Sequence, residues 1–183
     1  MSLKGVALVG RMRSGKDTVG AILADDYGLT TFSFGAALKR FAHDIFPWVP
    51  PDPKPRELYQ HMNVMRDYDP DVWVRQLFAK IDALNDEADY NGYQRVCPVI
   101  TDARQLNEVA ACRAKGYAII RVEADEETRK ERMIAAGDDY SVEALRHVTE
   151  TEIDDIEADY TINNGTGVEL AALKAQVDEL MSR

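Results

Sequence analysis

Short apolar runs alternate with longer stretches whose apolar residues recur every three or four positions, and that alternation persists along most of the chain. Val6 to Val9 is a run of Val, Ala and Leu ending in glycine, the pattern of a strand buried on both faces of a parallel sheet. Val19, Ile22, Leu23 and Tyr27 then repeat at helical spacing, and Gly28 stands where a left-handed cap would stop the helix. Thr30 to Phe34 reads as a second strand and Ala36 to Phe46 as a helix. Pro47 to Pro55 contains five prolines, which excludes a helix or a central strand and leaves a surface connection or flap.

From Arg56 to about Leu84 the pattern is helical, interrupted near "DYDPD". "VCPVITD" is a further buried strand rising to Asp102, Leu106 to Lys115 a helix closed by Gly116, and "YAIIRVEA" the next strand. Glu126 to Ala136 predicts a charged helix, "YTINN" a last short strand, and Val168 to Met181 a final helix. Strands that alternate with helices need crossover connections and so imply a parallel sheet. The expectation is one α/β domain over residues 1–183, without internal repeats.

Charge narrows the ligand classes. With 22 basic and 32 acidic residues the chain carries a formal net charge of −10, which disfavours attachment to nucleic acid polymers or anionic lipid. A small phosphorylated ligand needs only a local cluster of cations. Cys97 and Cys112 are the only cysteines, too few for a disulfide framework and not spaced as a metal or redox pair. No apolar segment approaches the ~20 residues of a membrane span, and the opening run is too short for a signal peptide. A soluble protein of the reducing cytoplasm is expected; a homodimer is compatible with the sequence.

The chemistry concentrates between the first strand and the first helix, in "GRMRSGKDT". Gly10-x4-Gly15-Lys16 in this position has the context of a P-loop, in which backbone amides and the positive end of a helix converge on phosphate oxygens. Residues Gly10, Arg11, Met12, Arg13, Ser14, Gly15, Lys16, Asp17 and Thr18 form the expected phosphate cradle, with Lys16 reaching the β- and γ-phosphates. The alternative is a glycine-rich turn without a ligand. Asp17 occupies the place where Ser or Thr usually lends a hydroxyl to Mg²⁺. A carboxylate is also a hard oxygen ligand, tolerable beside a triphosphate if metal or the cations of Arg11, Arg13 and Lys16 intervene. Thr18 keeps a hydroxyl one position on.

This loop resembles the variant P-loop of the phage-type deoxynucleoside monophosphate kinases, and animal phosphomevalonate kinases carry a similar G-x4-G-K-D. Further blocks resemble the first family in order: "FSFGAALKRFAHDIF", "RELYQHMNVMRDYDPDVWV", "VITDARQLNEV" with Asp102, Arg104, Asn107 and Glu108, and "HVTETEIDDIEADYTINN" with Thr149 in a serine's place. The pattern departs in the proline-rich stretch and at Asn63, where a glycine is often seen. The resemblance, which extends more broadly to adenylate-kinase-like enzymes, implies a three-layer P-loop fold with a central parallel sheet of about five strands. It further implies an acceptor-binding helical insert at 36–95, a lid at 126–150, ATP as phosphoryl donor and Mg²⁺ as cofactor.

Site residues follow from the same blocks. Lys16, Arg13, Asp102 and Arg132 are the expected catalytic set, with Asp17 and Asp102 as metal ligands. Asp102 ends an apolar run at a strand terminus, where a carboxylate can hold the Mg²⁺ water shell; an ordinary turn-capping aspartate is the plain alternative. Arg66 and Arg104 would grip an acceptor phosphate bidentately, with Lys39 nearby and Trp73 able to stack on a base, although Lys39 can be merely solvated and Trp73 merely core. Arg129 and Arg132 share a helix face and would close over the transferring phosphoryl as lid arginines. Their alternative is pairing with Glu126 and Glu127. His43, His61 and His147 lack metal-ligand spacing, and the acidic run from Glu150 to Asp159 reads as a solvated face. Three functions stay open: a nucleoside or deoxynucleoside monophosphate kinase, a kinase for another small acceptor such as phosphomevalonate, and a non-catalytic nucleotide-binding module.

Overall fold

The computed structural model of the chain describes residues 3–137 and 153–182. The chain divides into two compact units, one formed by Met1–Thr31 with Cys97–Arg183 and the other by Phe32–Val96. Among the described residues no helix is long and apolar enough to cross a membrane.

The first unit is built on strands β1 (Val6–Val9), β2 (Thr30–Phe32), β3 (Pro98–Ile100), β4 (Ala118–Glu123) and β5 (Tyr160–Asn163). They form a five-stranded sheet in the order β2-β3-β1-β4-β5. β1 lies in its middle, parallel to both β3 and β4, and β4 is parallel to β5. The fully buried Val6–Val9 run explains the central place, because only a strand covered on both faces tolerates apolar residues at every position.

Side chains alternate across the sheet. Val6 and Leu8 join Ile120, Val122 and Ile162 in a core cluster with Val19, Ile22 and Leu23 of α1 (Lys16–Tyr27) and Leu173, Val177 and Leu180 of α8 (Leu170–Met181). Ala7 and Val9, also fully buried, occupy the opposite face. There α6 (Leu106–Ala114) packs against β1 and β4. Helices on both faces of a parallel sheet make the three-layer α/β architecture of P-loop proteins, as the alternation of elements predicts.

The second unit is helical. It contains α2 (Phe34–Ile45), α3 (Arg56–Asn63), α4 (Met65–Tyr68) and α5 (Val72–Asn91). Ala37, Leu38, Ala42, Met62 and Trp73 form its core, with Phe34 and Phe78 in an edge-to-face contact at 6.5 Å. Residues 47–55 are neither helix nor strand, and the Asp52–Pro53 bond is cis.

Most element boundaries fall within about two residues of the sequence reading, and two of the differences have a visible cause. β2 stops at Phe32 because Ser33, in extended conformation, already caps α2. Past Leu84, α5 continues to Asn91, where Gly92 at φ 70° ends it with its amide on Ala88 and Asp89 carbonyls. The break near "DYDPD" is real: Pro70 lies between α4 and α5.

Candidate phosphate-binding site

Parallel strands send their exits to one end of the sheet, the end where open α/β sheets bind ligands. Gly10, Thr101, Ala124 and Asn164 each follow directly on β1, β3, β4 and β5. The loop after β1 turns on Gly10 (φ 150°), Arg13 (φ 62°) and Gly15 (φ 97°). Glycine is required at two of these for space as well as for dihedral. A Cβ at Gly10 would run into the Val122 carbonyl and Ser14 Oγ, and one at Gly15 into the Asn164 amide nitrogen. Arg13 holds its left-handed backbone without that freedom, a strain of the kind that gathers at functional loops.

α1 opens directly from this turn. Its first ladder bond runs from Val19 N–H to the Gly15 carbonyl at 3.1 Å, so the amides of Asp17 and Thr18 lie ahead of the ladder, and Gly15 offers no side chain to cap them. Such amides at the positive end of a helix favour an anion. Lys16 is only 7% exposed and folds back over the loop, its Nζ donating to the carbonyls of Gly10 (2.5 Å) and Arg11 (2.9 Å). The ammonium is thereby fixed at the loop's mouth. Ser14 Oγ is buried and has no hydrogen-bond partner, an unmet polar group of the sort an incoming oxygen would satisfy.

Two residues outside the loop hold its second half. Asn164 Nδ2 donates to the Ser14 carbonyl at 2.8 Å, and Arg132, on α7 (Glu126–Ala135), donates through Nη1 to the carbonyls of Arg13 (3.2 Å) and Ser14 (3.4 Å). Arg132 Nη2 also bonds the Asn164 carbonyl at 3.0 Å. The start of α7 is knotted to the loop after β5: Asp125 accepts from the Thr128 amide (2.9 Å), the Thr166 amide (2.7 Å) and both threonine hydroxyls. Those bonds, led by the Thr128 amide, hold its carboxyl well below the usual carboxylate range.

Next to the loop lies a cleft of about 420 Å³, lined by Gly10, Arg11, Ser14, Arg121, residues 122–125, Ile153, Asp154 and Asn163. Arg11 pairs with Asp154 at 2.5 Å across it. Arg121 is turned to the Ile156 carbonyl.

The remaining expected site residues divide between the units. Asp102 and Arg104 follow β3 in the first unit, both half-buried, with the Arg104 and Gln105 amides tied to the buried Glu108 carboxylate at 2.9 and 3.2 Å. Thr101 Cγ2 lies 2.7 Å from the place a Cβ on Gly20 would take, which sets the Asp102 segment against α1 little more than a turn beyond Lys16. Asp17, in the first turn of α1, is exposed. Among the described residues no cluster of three or more His, Cys, Asp or Glu could hold a metal ion by itself. Asp17 and Asp102 are single carboxylates, and Mg²⁺ ordinarily takes one or two such ligands while phosphate oxygens and water complete its shell.

Lys39, Arg66 and Trp73 belong to the second unit. Lys39 is exposed. Arg66 Nε and the Trp73 indole N–H both donate to Asn63 Oδ1, at 3.0 and 3.3 Å. Trp73, 2% exposed, is a core residue, and its rings pack with Phe41 instead of being offered to a base. That corrects the stacking role: an indole flanked by Val72 and Val74 on an amphipathic helix falls on the buried stripe. Arg129 is 6% exposed and its Nε has no hydrogen-bond partner, while Glu126 pairs with Lys130 at 2.5 Å. The lid expected at 126–150 lies outside the described residues from 138 onward, as do His147, Thr149 and Glu150. Asn164 was missed as a site residue; "TINNG" gives no sign of which asparagine reaches a loop 150 positions away.

No family model and no curated protein matches this chain. Solved structures do. A sugar kinase from Janibacter sp. superposes with a TM-score of 0.60 at 16% identity, over 98% of this chain and 95% of its own. A shikimate kinase from Acinetobacter baumannii gives 0.55 at 16% identity over 99% and 94%, and a gluconokinase from Sinorhizobium meliloti 0.52 at 18% over 97% and 93%. At these identities the likeness is one of fold, a central parallel sheet flanked by helices in three α/β layers.

Proposed function

We propose that the chain is a kinase that transfers the γ-phosphoryl group of ATP to the phosphate of a nucleoside or deoxynucleoside monophosphate, releasing ADP and the diphosphate. The observation that carries the reading is the loop itself: unladdered amides at the start of α1, with the Lys16 ammonium folded against the Gly10 and Arg11 carbonyls. In phosphoryl transfer the protein contributes mainly position and charge neutralisation. The loop amides would bind the β- and γ-phosphate oxygens, and Lys16 would offset charge growing on the oxygen bridging them. Arg104, two residues beyond Asp102 after β3, would orient the acceptor. Mg²⁺, carried by the nucleotide beside Asp17 and Asp102, would neutralise the donor phosphates.

The nucleotide acceptor is supported by the ordered sequence blocks around Arg66, Asp102 and Arg104. A second reading, a small hydroxylated or phosphorylated acid as acceptor, draws support from the likeness to a shikimate kinase and a gluconokinase. ADP release measured over a panel of ribo- and deoxynucleoside monophosphates, shikimate, gluconate and phosphomevalonate separates the two. ATP binding with no transfer to any acceptor would leave only a nucleotide-binding module. Lys16→Ala is expected to reduce transfer by at least about a thousandfold while keeping a cooperative melt; full activity in that variant would displace the donor site from this loop.

A further inference from the structure

We infer that Asn164, together with Arg132, is a positioning residue that aims the amides of the phosphate loop by gripping its carbonyls. The inference rests on the loop being a polyphosphate site. A trans peptide is planar, with its C=O and N–H pointing in opposite directions, so a captured carbonyl fixes the amide of the next residue. Lys16 captures the carbonyls of Gly10 and Arg11. Asn164 and Arg132 capture those of Ser14 and Arg13. The Gly15 N–H is thus turned away from Asn164 by a bond that originates 150 positions along the chain.

Asn164 is built for the task. It is 6% exposed, its own amide donates to the Glu123 carbonyl at 2.7 Å, and its carbonyl receives Arg132 Nη2 at 3.0 Å. Its side-chain nitrogen fills the space a Cβ on Gly15 would need, so the glycine of the motif and the asparagine after β5 are fitted to each other. Arg132 meets several acceptors with one planar fork, a geometry that lysine cannot reproduce. It therefore acts on the loop through peptide carbonyls, without having to touch the phosphoryl group.

The test compares wild type, Asn164→Ala, Asn164→Asp and Arg132→Lys. Calorimetry measures inorganic tripolyphosphate and, separately, adenosine; backbone ¹⁵N order parameters at Gly15, Lys16 and Asp17 are followed without ligand. Asn164→Ala is expected to weaken tripolyphosphate about tenfold, the worth of one well-placed hydrogen bond to the loop, with adenosine unaffected. Asn164→Asp, which sets an oxygen against the Ser14 carbonyl, should lose more, and Arg132→Lys should lose in the same direction. All three should lower the Gly15 order parameter relative to wild type. General destabilisation would weaken both ligands alike, and that result overturns the inference, as does unchanged tripolyphosphate affinity with unchanged order. Should one variant fail to fold, the others carry the comparison. Wild type that binds no tripolyphosphate defeats the kinase reading instead, and the order parameters alone then decide whether Asn164 orders the loop.

Discussion

At the residue scale, the loop's geometry depends on places where a side chain would not fit. Gly15→Ala adds a methyl at φ 97° into space held by the Asn164 amide. It should lower stability by about 1–3 kcal/mol and remove polyphosphate affinity, read by urea denaturation and calorimetry. Chemical reactivity can be forecast as closely. Burial, then the charges of Glu108 and Asp102, push the Cys112 thiol up to about 12. At pH 8 the folded protein should leave Cys112 unmodified by a thiol reagent, and denaturant should expose it.

At the level of elements, the knot between α7 and the loop after β5 carries a pH signature. Asp125 has its folded value depressed by the Thr128 and Thr166 donors. Its ionised form therefore stabilises the fold in full above about pH 4, near the unfolded value, and that contribution is lost as the pH falls toward the folded value. The Tm gap between wild type and Asp125→Asn should hold steady from about pH 7 to 5 and narrow below about pH 4. Such ties explain what the sequence could and could not disclose. β1, α1 and the Gly28 cap were legible because period, glycine and motif agree on them. The end of α5 was not, since "NDEADYN" has lost its apolar repeat, yet Ala88 is buried there and Gly92 supplies the stop. Asn63, noted only as a departure from a glycine, proves to receive both Arg66 and Trp73. Long-range partners of this sort leave no periodic trace.

For the whole molecule, the formal net charge of −10 argues against polymeric partners even though the unladdered amides of the loop would favour an anion. Duplex DNA should show no retardation with the protein at about 0.15 M salt. If the kinase reading holds, tripolyphosphate should still bind under the same conditions. That contrast separates a local arrangement of amides from a basic surface. The sheet order has a consequence for synthesis as well. The motif at residues 10–18 leaves the ribosome early, but Asn164 comes 150 positions after Ser14, and Leu173, Val177 and Leu180, which cover α1, come later still. A nascent chain stalled before residue 160 would display every letter of the motif and Arg132, but neither Asn164 nor the helix that covers α1. If the kinase reading holds, nucleotide capture should thus begin abruptly, late in translation.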